Sequence, residues 1–478
     1  MFGDVSHRSP AQSPELIALA LLPLIVNFPG FREIPAWSLV LCGLFATLYF
    51  WRKVSDGINY QAPRQTQRRD PSISLNSIGL IFVLAIFGFG YVQGVARGVF
   101  SPFNWITQFA SFVGIVILAV TCARRSVAVE GVPLWMTSII VGTAAFFFVN
   151  CALLALSVRS EGQALDISAP NRILDLIGIN FPRIAFPISG GQNGTAIYAV
   201  LASAICLAAV SVAVGKGKKI LIWSVVALCT IAVALTDARG GYLGLAGVFC
   251  CYFLRRRLLL TITFLVLAVL LLFVPLVAGF IVQAVPLDLI YGAFGRHVPT
   301  SFDSLATLTT GRSFIWESAF KKIDSEPLNF FFGYGVRGHM TSGISIDYRW
   351  LFGGNPHHTL HSMFLQMLFE FGLVGLVAFS ALGAWIVKSA LRSSGAAVID
   401  GRLDAPALAV ILITVGFLLC GANEAVLSSS FPDHFIFLGV CIGVALSRGA
   451  DPLTALSIKA RKPVNVLAPR RARSPDLA

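Results

Sequence analysis

Residues 216–257 read KGKKILIWSVVALCTIAVALTDARGGYLGLAGVFCCYFLRRR. Two apolar runs, 220–236 and 242–254, each carry a basic cluster at their far end: Lys216, Lys218 and Lys219 before the first, Arg255, Arg256 and Arg257 after the second. Lysine and arginine in short loops are retained on the cytoplasmic side of a membrane. The stretch therefore predicts a helical hairpin with both open ends inside and its turn, Asp237 to Gly241, on the outer face.

The same rhythm runs along the chain. Apolar segments fall near 15–29, 36–51, 75–93, 104–122, 133–156, 194–214, 220–236, 242–254, 258–282, 361–387, 405–421 and 432–447, about twelve helices of roughly bilayer-spanning length. Arg52, Lys53, Arg64, Arg68 and Arg69 follow span two, Arg124 and Arg125 span four, Lys388 and Arg392 span ten, and a basic tail follows span twelve. Every even-numbered connection is thus cytoplasmic, as are both termini. Adding or losing one span would move several clusters outside, so the register is overdetermined.

Composition agrees. The 478 residues are 56% hydrophobic and only 12% charged, with a mean hydropathy of +0.79, more apolar than a soluble core of this length requires. A net charge of +13 would suggest nucleic acid in a soluble protein. Here the basic residues sit in short loops and the tail, where they orient spans and touch anionic lipid, so no nucleic-acid partner is expected. Most of the nine cysteines lie inside apolar runs without the spacing of a disulfide framework or zinc site. The N-terminus has neither a basic n-region nor a small-residue cleavage site before its first apolar run, which predicts a retained anchor.

The expected fold is an all-α polytopic integral membrane protein with a large outer loop between helices 9 and 10. Its parts are residues 1–193 (five spans and a first outer loop), 194–283 (spans six to nine), 284–360 (the long outer loop), 361–447 (spans ten to twelve) and 448–478 (a flexible basic tail). A structureless connection as long as 284–360 is rare unless it is functional.

Arginine on the outer side of a membrane protein calls for a reason, and the odd-numbered loops carry Arg183, Arg239, Arg312, Arg337 and Arg349. An anionic ligand is one. In Asp237-Ala238-Arg239-Gly240-Gly241-Tyr242 a guanidinium stands at the membrane boundary beside two glycines that would let a bulky ligand approach the backbone. Alternatively Arg239 snorkels to lipid phosphates or pairs with Asp237. Thr310-Gly311-Arg312-Ser313-Phe314-Ile315-Trp316, followed by Pro327 and Gly333-Tyr334-Gly335, supplies a second arginine. The same stretch also reads as an amphipathic helix on the membrane surface, Phe314, Ile315, Trp316 and Phe320 dipping in while Lys321 and Lys322 stay wet.

Asn355-Pro356-His357-His358-Thr359-Leu360-His361-Ser362 places three of the seven histidines where span ten begins. His357 and His361 are spaced to share a helical face as metal ligands, but neither an HExxH pattern nor a carboxylate pair completes such a site, and no metal or other cofactor is expected. A neutral imidazole, with an ordinary pKa near ~6.5, can instead take a proton from a hydroxyl. Any of His357, His358 and His361 is placed to do so.

In order and content these clusters resemble the O-antigen ligase and O-antigen polymerase superfamily. The residues that carry the resemblance are Arg239 to Leu243, Gly311-Arg312 with Trp316, Pro327, Gly333-Tyr334-Gly335, His361 to Leu365, Glu370, Gly372, Leu373 and Gly375, all in the C-terminal half. Upstream, Arg183, Phe186-Pro187 and Gln192-Asn193-Gly194 look like the family's segment before its middle helix. In the family the histidine is followed by asparagine, and nine residues on by glutamate before a glycine. Here His361, Glu370 and Gly372 keep the spacing while Ser362 replaces the asparagine.

The resemblance implies an enzyme of the bacterial inner membrane with a periplasmic active site, a metal-independent inverting glycosyltransferase. Its donor would be a glycan on undecaprenyl diphosphate and its acceptor lipid A-core (a ligase) or another lipid-linked repeat (a polymerase). The histidine entering span ten leans toward a ligase. By the same carry-over Arg239 and Arg312 hold the diphosphate and His361 positions or deprotonates the acceptor hydroxyl, with Arg183, Asn193, Arg337, His357 and Glu370 in support. A departing diphosphate gains negative charge, which fixed guanidiniums stabilise directionally. The rival reading, a twelve-span transporter or lipid flippase, predicts repeated halves and charges at midmembrane, and the sequence has neither.

Overall fold

The computed structural model describes residues 14–28, 75–98, 101–124, 128–129, 131–156, 171, 174–175, 178–189, 191–271, 273, 312–348, 359–393, 403–427 and 433–448. Apart from a two-stranded hairpin, β1 (Ala128–Val129) with β2 (Val132–Pro133), the regular structure among them is helical. The apolar helices are α1 (Pro14–Asn27), α2 (Leu75–Ala96), α3 (Pro102–Arg124), α4 (Leu134–Ala155), α5 (Gly191–Val210), α6 (Lys216–Thr236), α7 (Arg239–Leu254) and α8 (Leu258–Leu271). After them come four short helices, α9 (Arg312–Ser325), α10 (Pro327–Phe332), α11 (Gly338–Thr341) and α12 (Ile344–Tyr348), and then three apolar ones, α13 (Met363–Ser393), α14 (Ala405–Gly421) and α15 (His434–Arg448).

Five of these helices, α3, α4, α5, α6 and α13, are long and apolar enough to cross a membrane by length and composition, and six more are shorter and apolar. Each coincides with a segment predicted from the sequence. The predicted span at 36–51 lies outside the described residues.

The bundle is organised around α5, every residue of which from Gly194 to Val210 is buried. A helix apolar on all sides belongs at the centre, and α6, α7 and α14 pack around this one. Because lipid is as apolar as leucine, membrane helices associate by close approach at small residues. A Cβ built on Gly443 of α15 would stand 2.7 Å from the Val120 carbonyl of α3, and one on Gly439 would stand 2.9 Å from that of Val116. These paired contacts also show that α15 and α3 run in the same direction.

That direction sorts the ends of the helices. Arg124, Lys216, Lys218, Lys219, Arg255 and Arg448 gather at one end of the bundle, where Arg448 bonds Asp404 and the Ala390 carbonyl. The starts of α5, α7, α13 and α15 lie at the other end with the tail of α14.

At that opposite end α9 to α12 form a lobe with its own core. Ile315, Trp316 and Ala319 of α9 bury against Tyr334, Leu365 and Phe369. The surface-helix expectation is corrected here: the apolar face of α9 is taken up by protein, since Ile315 is 0% and Trp316 5% exposed.

The lobe is fastened to a break in α13. Gly372 has φ 67 and ψ −172, so the helix is interrupted there and the carbonyls of Phe369 and Glu370 lack their helical partners. The amides of Tyr334 and Gly335 supply replacements at 2.7 and 2.9 Å, and that of Val336 donates to the Gly90 carbonyl of α2 at 2.9 Å. Gly333-Tyr334-Gly335 is thus a seam between α2 and α13. Its glycines adopt φ 75 and 87, and a Cβ on Gly333 would lie 2.5 Å from the Glu370 backbone.

Candidate active site

The residue that organises the site is one the sequence reading passed over. Glu424 follows the end of α14, is 3% exposed, and lies where three distant segments converge. Its Oε1 accepts from Arg312 Nη2 at 2.6 Å, while Arg312 Nη1 reaches Asn423 Oδ1 at 3.4 Å. Its Oε2 is 3.0 Å from His361 Nδ1. The Asn193 side chain, at the start of α5, also bonds to it. Burial pushes the Glu424 carboxyl up, yet the nearby His361 and Arg312 charges and the hydrogen bonds from His361 and Asn193 outweigh it, holding the group below the usual carboxylate range.

Arg312 is brought there as the first residue of α9, and His361 by the turn into α13. His361 has φ 50, a left-handed conformation that costs a residue with a Cβ on the order of 1–3 kcal/mol. Ser362 next to it is fully buried, and its hydroxyl accepts from the Leu365 amide at 3.4 Å, capping α13. The serine in place of the family's asparagine therefore has a use as a helix cap.

Arg239 opens α7 beside the same turn. A Cβ on its neighbour Gly240 would stand 3.4 Å from Glu424 Cγ and 3.7 Å from Asn423 Cβ. Thus Arg312 bonds directly to the Asn423-Glu424 turn while the start of α7 leans against it. Of the two glycines after Arg239, Gly240 faces the site, while Gly241 serves helix packing rather than ligand approach. Gly241 packs on Ala196 of α5 and Gly244 on Cys420 of α14, so their missing side chains serve helix contact.

The supporting candidates divide. Asn193 joins the cluster. Arg183 belongs to a neighbouring arrangement: its Nη2 donates to the Asp237 carbonyl at 3.2 Å, its Nε to that of Thr236 at 3.4 Å, and it pairs with the Asp237 carboxylate at 3.7 Å. It caps the C-terminus of α6. The Asp237 carboxylate also accepts from Tyr242 at 3.5 Å.

Glu370 is buried one layer below His361, where it accepts from the Arg337 amide at 2.9 Å and from Gln366 Nε2 at 2.6 Å. Arg337 itself has φ 59. His357 and His358 lie outside the described residues. Among the described residues no group of three or more His, Cys, Asp and Glu side chains is placed to hold a metal ion.

Between α7, α8 and α14 lies an apolar cavity of about 500 Å³, lined by Leu243, Ala246, Gly247, Phe264, Ala268 and Leu419. It begins one helical turn from Arg239.

Fold and site together define a helical membrane protein whose polar centre, Arg312 with His361 and Glu424, lies at the bundle end away from its basic clusters, next to the start of α7. Residues 224–380 match the O-antigen ligase family. The match takes in Arg239, Arg312 and His361 and agrees with the superfamily that the sequence motifs resemble. Asn193 and Glu424 lie outside the matched residues. No curated protein matches the chain.

Proposed function

We propose that the protein is a glycosyltransferase of the bacterial inner membrane that moves a glycan from undecaprenyl diphosphate to a sugar hydroxyl on the periplasmic face. The observation that carries this reading is the meeting of Arg312 and His361 on one buried carboxylate, Glu424, beside the start of α7 at Arg239. The site lies opposite the basic ends of the helices, and the tendency of basic residues to be retained inside supports a periplasmic position for it.

In this reading the acceptor oxygen attacks the anomeric carbon from the face opposite the diphosphate, inverting it. The bond from that carbon to the diphosphate oxygen breaks, and its electron pair leaves with the diphosphate. Arg312 and Arg239 pair with the charge that builds there, a task that suits the fork of a guanidinium better than an ammonium. When the imidazole directs Nδ1–H at Glu424 and carries no second proton, the lone pair on Nε2 takes the hydroxyl proton. The chemistry asks nothing of a metal ion. The apolar cavity beside Leu243 suits the polyprenyl tail.

As a ligase the protein would act on lipid A-core, and as a polymerase on another lipid-linked repeat. His361→Ala and Arg312→Ala, each replacing the native copy, should leave the protein inserted while the lipid-linked glycan accumulates and its transfer product disappears. Normal polysaccharide in both strains would defeat the reading. Analysis of lipid A-core and secreted polymer in the same strains separates the two acceptors.

A further inference from the structure

We infer that Trp316 and Gln366 are positioning residues for His361: between them they hold both backbone polar groups of Leu360 and so fix the direction of the next side chain. The inference rests on the transferase reading above and adds the device that aims its base.

Leu360 is fully buried immediately before the left-handed His361. Its carbonyl accepts from the Trp316 indole nitrogen at 3.2 Å, and its amide donates to Gln366 Oε1 at 3.1 Å. A β-carbon disfavours the left-handed region, so the peptide unit joining 360 and 361 would relax unless held from outside. Trp316 grips the carbonyl of that very unit. Gln366 grips the other end of Leu360, removing the compensating rotation.

Both grips are themselves fixed. Trp316 lies four residues after Arg312 on α9, so one helical face presents the diphosphate-binding guanidinium and, a turn later, the indole that sets the base. Any shift of α9 moves the two together. Gln366 lies one turn into α13, and its amide can be oriented in only one way: the oxygen meets an N–H while Nε2 meets the Glu370 carboxylate at 2.6 Å. Glu370 is held in turn by the Arg337 amide at 2.9 Å. Glu370, which the motif spacing marked as supporting, thereby acts on His361 through Gln366.

Trp316→Phe keeps an aromatic ring in the core but loses the donor with part of the indole, and Gln366→Met keeps the length and loses the polar atoms. The test uses the full-length protein in detergent, with lipid-linked glycan and acceptor extracted from the native strain. Each variant should lower kcat about tenfold while the donor KM stays within about twofold, because the base is misaimed and the diphosphate site is intact. Protection against thermal unfolding by added undecaprenyl diphosphate should remain at the wild-type level in both variants and fall in Arg312→Ala.

Wild-type kcat in Trp316→Phe and Gln366→Met, with His361→Ala inactive, overturns the clamp and leaves the transferase reading standing. Loss of undecaprenyl diphosphate protection in step with kcat also overturns it, since a merely structural role would predict that. Full transfer by His361→Ala removes the base itself and defeats both.

Discussion

Two carboxylates at the same end of the bundle, Asp237 and Glu424, each follow the end of an apolar helix and each pair with an arginine, yet they do different work. Asp237 belongs to a local structure: Arg183 reaches it together with the carbonyls that end α6, at 3.2 and 3.4 Å. Glu424 joins Arg312, His361 and Asn193, which arrive on three separate elements. The first arrangement closes a helix end and needs little beyond it. The second exists only when the lobe of α9 to α12, the start of α13 and the tail of α14 are all in place, which is what a site built for one ligand requires.

The contrast is broken most decisively by neutralising each acid. Glu424→Gln should lower transfer roughly 10²-fold, since the imidazole loses the charge that holds its tautomer and Arg312 loses its counter-ion. Asp237→Asn should stay within about threefold, its cost read as stability. Equal losses in the two would erase the distinction between the two carboxylates.

Arginine identity sharpens it further. Arg312→Lys keeps the charge and loses the fork that reaches Glu424 and Asn423 together, so transfer should fall about tenfold. Arg183→Lys should transfer like wild type, with a change in stability of about 1 kcal/mol or less. Parallel rate measurements on the two lysine variants distinguish a ligand-holding guanidinium from a capping one.

The smallest expected effect is on acid stability. The Glu424 carboxyl is held below its ordinary range, so its charge stabilises the fold above that range, and the contribution is lost as pH falls through the depressed folded value. Glu424→Gln never has that contribution. The gap in thermal midpoint between wild type and this variant should therefore narrow by ~2 °C on acidification. A gap independent of pH would mean that the charge of Glu424 adds nothing to folding.

Much of this was legible beforehand. The described apolar helices fall where uninterrupted apolar runs and basic flanks put them; Arg239 and Arg312 were singled out by type and by their place between apolar runs, and His361 among three neighbouring histidines only through the family resemblance. Glu424 was missed because a lone carboxylate among Ala422, Asn423 and Ala425 has no local pattern. Its one signal was an Asn-Glu pair just past an apolar run, at the end where the arginines also lie. The glycines after Arg239 and the Gly333-Tyr334-Gly335 motif were legible as special but not as packing and seam residues, since their neighbours come from α5, α14, α2 and α13.

The sequence by itself determined which stretches form apolar helices and which of their ends carry the basic clusters, because helix formation and apolar character are sums over residues close together in the chain. Tertiary structure alone decided that residues 312, 361 and 424 share one cluster and that Trp316 and Gln366 grip the same leucine. Contacts between segments so far apart depend on how helices pack and where α13 breaks, and no local pattern of residue types encodes that geometry.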